Sequence, residues 1–129
     1  MAYPADRKYT KEHEWIQANG NSASVGITDY AQQSLGDIVF VEVPKVGSEL
    51  TAGKSFGTVE SVKAVSDLFA PASGIVSDVN AELATSPEKV NQDPHGSWMM
   101  KITLSNPSEL EGLLSAADYE KFVAEEAGH

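Results

Sequence analysis

The stretch Gly57-Thr-Val-Glu60-Ser-Val-Lys63-Ala-Val-Ser-Asp67-Leu-Phe-Ala-Pro-Ala-Ser-Gly74 organises the chain. Its flanks alternate, or nearly alternate, apolar and small polar residues, the period-two pattern of half-buried strands. Where the strands must reverse stands a single lysine, Lys63, which predicts a side chain displayed at a hairpin tip. A lysine in a surface turn is ordinarily a solubilising charge. Here, however, Glu60 lies three residues before it and Asp67 four after, while Val59, Val62, Val65 and Leu68 leave few other polar groups nearby. A lysine amine is a strong nucleophile only when deprotonated, and neighbouring carboxylates favour the ammonium form. Lys63 is therefore a poor catalyst. The same exposed amine on a stiff hairpin is a good acceptor for acylation by another enzyme, and its flexible side chain would let an attached group swing.

Outward from this hairpin the chain reads mainly as β-structure in one domain spanning residues 1–129. Residues 1–12 form a polar, extended lead. Trp15-Ile16 begin the first strand, and Asn19-Gly20-Asn21 turns it back, because Asn and Gly tolerate the positive φ of tight turns. Ser22–Thr28 is the return strand. Thr28 or Asp29 then caps a short helix through Leu35 that Gly36 ends in the left-handed conformation. Ile38–Val43 is rich in β-branched residues and is stopped by Pro44. Val46–Lys54 is turn-rich, Phe69–Gly74 bends, and Ile75–Val79 resumes a strand. Pro87–Gly96 reads as a polar loop before a closing strand within Ser97–Leu104. Residues 106–127 change class: Asn106-Pro107-Ser108-Glu109 opens a helix through Leu114. A second helix follows from Ser115, with Tyr119, Phe122 and Val123 on one face and Glu120, Glu125 and Glu126 pointing outward. Val46-Gly-Ser-Glu-Leu echoes Val79-Asn-Ala-Glu-Leu, as two similar β units sharing a core would.

Composition narrows the function classes. Nineteen acidic against nine basic residues give a formal charge of -10, which repels nucleic acid and anionic membranes and favours proteins with basic patches as partners. No cysteine means no disulfide, thiolate nucleophile or thiolate zinc site. The start Met-Ala-Tyr-Pro-Ala-Asp-Arg-Lys lacks the apolar core of a secretory signal, so a bacterial cytoplasm is the simplest expectation. A mature mitochondrial-matrix chain would look the same.

Catalytic constellations are lacking. His13, His95 and His129 fall in three regions without metal-ligand spacing and read as solvated or loop histidines. Gly53-Lys54-Ser55 lacks the upstream glycine and following helix of a phosphate loop. Glu42 and Glu49 have no histidine or metal motif beside them and read as solvated. Trp15 and Trp98 read as core or its rim.

With Lys63 in place the chain resembles the glycine cleavage H-protein family. The resemblance is carried by His13-Glu14-Trp15, by Gly26-Ile-Thr-Asp-Tyr-Ala-Gln-Gln-Ser-Leu-Gly-Asp-Ile-Val-Phe-Val-Glu-Val-Pro44, and by Glu60-Ser-Val-Lys-Ala64. Ser66-Asp67, Ala70-Pro71, Ser73-Gly74, Val79-Asn80 and Gly96-Ser-Trp-Met-Met-Lys-Ile102 extend it over nearly the whole chain. It implies a barrel-sandwich hybrid of two small antiparallel sheets with short C-terminal helices. It also implies a monomeric carrier, not an enzyme, with lipoate joined by an amide to Lys63. The implied partners are a pyridoxal-phosphate glycine decarboxylase, a tetrahydrofolate-dependent aminomethyltransferase, a flavin-dependent dihydrolipoyl dehydrogenase and lipoate-attaching enzymes. Glu60 and Gly74 match positions associated with recognition and turn geometry, while Glu14 and Asp67 are expected to line a cleft for the loaded arm. Gln33-Ser34 depart from the bulkier or ionisable residues of some relatives. A lipoyl domain of a 2-oxoacid dehydrogenase would place Asp before the lysine, and a biotin carrier would flank it with methionines; Val62 and Ala64 fit neither. H-like proteins that relay lipoate to other enzymes share both fold and modification.

Overall fold

The computed structural model describes residues 3–127. Two antiparallel sheets carry the fold. The six-stranded sheet runs in the order β1 (Lys8–Tyr9), β2 (Glu14–Asn19), β3 (Ser22–Ile27), β9 (Met100–Leu104), β8 (Gly74–Val79), β5 (Glu49–Leu50). The three-stranded sheet runs β4 (Ile38–Glu42), β6 (Ser55–Ser61), β7 (Val65–Phe69). This is the expected barrel-sandwich hybrid, with sheets of unequal size.

Local chemistry accounts for the turns. β2 and β3 pair in register from Glu14↔Ile27 to Asn19↔Ser22, and Gly20 takes φ +66° in the connecting turn. The Thr28 hydroxyl accepts from the Ala31 amide and caps α1 (Asp29–Leu35). Gly36 ends α1 with φ +79° but ψ -154°, a conformation open to glycine rather than the left-handed helical one expected.

The core has three parts. Ile16, Val25, Val76, Met100 and Ile102 pack within the larger sheet's concavity, and Val41, Val59, Leu68, Leu83, Val90 and Met99 fill the space beside the smaller one. Tyr9, Trp15 and Tyr119 form the third, with Trp98 partly buried against it, as expected for the two tryptophans. Tyr9 lies in the segment expected to be a polar lead; it is fully buried, and its backbone pairs with Leu114.

The C-terminal and loop regions depart from expectation. Pro107–Gly112 is a 3-10 helix: the Asn106 side chain accepts from the Ser108 hydroxyl instead of capping the helix, and Leu113 is extended. α4 (Ala116–Ala127) forms as expected, with the Ser115 hydroxyl accepting from the Asp118 amide and Tyr119 buried. A four-residue helix, α3 (Lys89–Gln92), replaces part of the expected polar loop, and another, α2 (Glu82–Thr85), precedes it. The echo survives in burial but not in conformation, since Leu50 lies on β5 and Leu83 on α2, both buried.

Candidate functional site

The β6–β7 hairpin turns through Val62 and Lys63, and the Ser61 amide donates to the Ala64 carbonyl at 2.8 Å. Neither turn residue is glycine and neither has positive φ. The Ser61 hydroxyl compensates by accepting from the amides of both Lys63, at 3.3 Å, and Ala64, at 3.1 Å. The tip is tied to the body where the Val62 amide donates to the Asp37 carbonyl at 3.0 Å. Asn91 on α3 braces that loop, accepting from the Ile38 amide and donating to the Gly36 carbonyl and the Gln32 side chain. Ser61 and Asn91 had not been singled out from the sequence. A serine before a glycine-free two-residue turn is a usable signal, whereas the partners of Asn91 lie more than fifty residues away.

Lys63 is exposed and forms no ion pair among the described residues, so Glu60 and Asp67 are sequence neighbours without being salt-bridge partners. Its aliphatic stem passes Gly36, where a Cβ would stand 3.4 Å from Lys63 Cε. A fixed backbone, a free amine and an uncrowded stem fit the attachment of an acyl arm.

Register defines the outward face of the smaller sheet. Phe40, Glu60 and Val65 stand in one row across the three strands, and Glu42, Thr58 and Asp67 in the next. Val41 and Val59 in the intervening row point to the core. Beyond Asp67 on the same face of β7 comes Phe69, which lines a cavity of about 540 Å³ together with Thr10, Glu12, Glu14, Pro71 and Leu113. The cavity includes Glu14, while Asp67 stands between it and the tip. Gln33 and Ser34 lie exposed on α1, outside this cavity's wall.

Glu14 is 2% exposed. Its Oε1 accepts from the Thr10 hydroxyl at 2.6 Å and its Oε2 from the Phe69 amide at 3.1 Å, which bridges the two sheets. Burial pushes its carboxyl up to about 7, against the lowering effect of both hydrogen bonds. Gly74 is the first residue of β8 rather than part of a turn, and a Cβ there would collide with the Thr103 carbonyl oxygen on β9.

The two described histidines lie in loops, as the sequence allowed, but are packed rather than solvated; His129 lies outside the described residues. His13, at φ +71°, sets Nε2 3.0 Å from Glu126 and Nδ1 2.8 Å from the Tyr119 hydroxyl. A carboxylate only accepts, so in the neutral ring Nε2 carries the proton and Tyr119 donates to Nδ1. Burial lowers the His13 pKa. His95 Nε2 accepts from the Asp29 amide at 3.2 Å, and burial lowers its pKa also. Among the described residues no group of three or more His, Asp or Glu side chains is arranged to hold a metal ion, and no helix is long and apolar enough to cross a membrane.

A barrel-sandwich hybrid that presents a braced, exposed lysine at a hairpin tip is the architecture of a carrier protein. The glycine cleavage H-protein family model matches residues 7–126, and the chain belongs to that family. It is 74% identical over 129 residues to a glycine cleavage system H protein of Koribacter versatilis (strain Ellin345), covering 100% of both chains. To that of Carboxydothermus hydrogenoformans it is 60% identical over 124 residues, covering 95% of each. The crystal structure of a glycine cleavage system H protein from Mycobacterium marinum is similar with a TM-score of 0.85 at 41% identity, covering 98% of this chain and 100% of that one.

Proposed function

We propose that Lys63 carries lipoate as an amide and that the chain shuttles an aminomethyl group and reducing equivalents among the enzymes of the glycine cleavage system. The observation that carries this is the hairpin tip: an exposed amine without an ion pair among the described residues, on a turn held by the Ser61 hydroxyl and the Asp37 carbonyl. Acylation removes the lysine charge, and the dithiolane of lipoate supplies the redox and group-carrying chemistry. The protein fixes the arm's root.

The cavity at Glu14 suits the loaded arm. Along the chain Lys63 lies four residues from Asp67 and six from Phe69, about 13 and 20 Å of extended backbone, and a lipoyl-lysine arm of roughly a dozen bonds extends about 14 Å, which takes its end past Asp67 towards the cavity mouth. Asp67 lies along the path. Phe69, Pro71 and Leu113 offer apolar walls, while Glu14 offers a carboxyl that a cationic amine would hold ionised. Shelter from water there would slow hydrolysis of the carried group.

The donor is the pyridoxal-phosphate glycine decarboxylase. The aminomethyltransferase takes the one-carbon unit to tetrahydrofolate, and the flavin-dependent dihydrolipoyl dehydrogenase reoxidises the dithiol. A bacterial cytoplasm is the compartment assigned. The test is glycine-dependent release of carbon dioxide by the decarboxylase with lipoylated wild-type chain or Lys63→Arg as acceptor. Turnover with the former and none with the latter is expected; equal turnover would overturn the proposal.

A further inference from the structure

We propose that the outward face of the β4–β6–β7 sheet is the docking surface for the enzyme that attaches lipoate to Lys63, a partner presenting apolar groups interspersed with lysine and arginine. The proposal rests on lipoylation at Lys63 as read above and names the surface that selects the attaching enzyme.

Large apolar side chains crowd the open side of this small sheet. Val62 is 70% exposed, Val65 66%, Val39 51% and Phe40 45%. Phe40 and Val65 flank Glu60 in the row nearest the tip, and Glu42 and Asp67 flank Thr58 in the row behind. The three strands contain no lysine or arginine, so the apolar groups alternate with carboxylates alone, Glu60 between them and Glu42 and Asp67 behind, on a chain whose net charge is already -10. Exposed apolar groups interspersed with charges of one sign are the composition of a docking site for a partner of opposite charge.

Reach decides which partner needs this face most. The unmodified lysine extends only about 6 Å from Cα to Nζ. An enzyme holding lipoate as an acyl adenylate must bring its acyl carbon to that nitrogen. The amine lone pair forms the amide bond, the acyl–oxygen bond breaks with AMP leaving, and the nitrogen gives up its surplus protons to solvent. Such an enzyme has to press against the tip and the sheet face behind it. Enzymes that act on the dithiolane meet it at the far end of an arm about 14 Å long and can work at a distance from the sheet. The bond from the Val62 amide to Asp37 keeps the tip in register with the face, so that one rigid surface is presented to the attaching enzyme.

The test is steady-state lipoylation by a purified lipoate ligase with lipoate and ATP, comparing wild type with Phe40→Ser/Val65→Ser and with Glu42→Lys. Each variant is expected to raise the KM for the protein substrate about tenfold with kcat unchanged, the size of effect typical of interface anchors. Glu42→Lys should also weaken the dependence of KM on salt. After exhaustive lipoylation with excess ligase, reoxidation of the dithiol by dihydrolipoyl dehydrogenase should match wild type for both. Wild-type KM in both variants would overturn the proposal, and so would an equal loss with dihydrolipoyl dehydrogenase, which would make the face common to all partners. Circular dichroism checks folding; should the double serine variant unfold, Glu42→Lys, on an exposed edge-strand position, decides alone. A wild-type chain that the ligase leaves unmodified would instead remove the lipoylation on which the proposal rests.

Discussion

Substituting Glu14 by Gln tests the buried carboxyl through stability alone. The folded chain holds the Glu14 proton to about pH 7, against 4.5 for a free glutamate. That difference is worth about 3 kcal/mol. The sign follows from the direction of the shift. A raised carboxyl pKa stabilises the fold fully below pH 4.5, loses that contribution as pH rises towards 7, and contributes no further change above it. Gln cannot titrate, although it keeps only one acceptor for the two donors, Thr10 Oγ1 and the Phe69 amide. Urea unfolding of the unlipoylated chains from pH 4 to pH 8 measures both effects. Wild type should be the more stable at pH 4, and the gap should move by about 3 kcal/mol in favour of Glu14→Gln by pH 8. His13, whose pKa burial lowers, is present in both chains, so its contribution largely cancels. Parallel stability curves across the whole range would refute a buried, proton-retaining Glu14.

Ser61→Ala removes the acceptor for the Lys63 and Ala64 amides. It should cost about 1 kcal/mol by thermal melting and lower the rate of lipoylation, which intact-mass time courses would follow. Gly74→Ala drives a Cβ into the Thr103 carbonyl and should destabilise by about 2 kcal/mol or more in urea. Tyr119→Phe keeps the stacking on Tyr9 but removes the contacts to His13 and Thr28. It should cost about 1–2 kcal/mol by urea unfolding and change the His13 titration seen in histidine NMR signals.

Much of the scaffold was legible because its signals are local. Asn19-Gly20, the Thr28 cap, Gly36 and the β-branched run at 38–43 each act within a few residues, and Lys63 was found by its place between two alternating strands. What was missed depends on distant partners. The positions of Asn91 and His13 are set by residues such as Ile38, Tyr119 and Glu126, which no sequence window contains. Asn106-Pro107 carried a good helix-start signal, but Ser108 engages the capping side chain. At the site, the resemblance named Glu14 and Asp67 together, whereas the structure puts Asp67 on the sheet face and Glu14 at the cavity. The requirement for glycine at 74 comes from a carbonyl on β9, a contact about thirty residues away that a turn-based reading cannot contain.

The central claim is that Lys63 is the root of a lipoyl arm, and intact mass measures it most directly. Wild type and Lys63→Arg would be incubated with a lipoate ligase, lipoate and ATP. The wild-type chain should gain the mass of one lipoyl group, mapped to Lys63 by peptide fragmentation, and the arginine variant should gain none. An unmodified wild-type chain, or equal modification of Lys63→Arg, would contradict it.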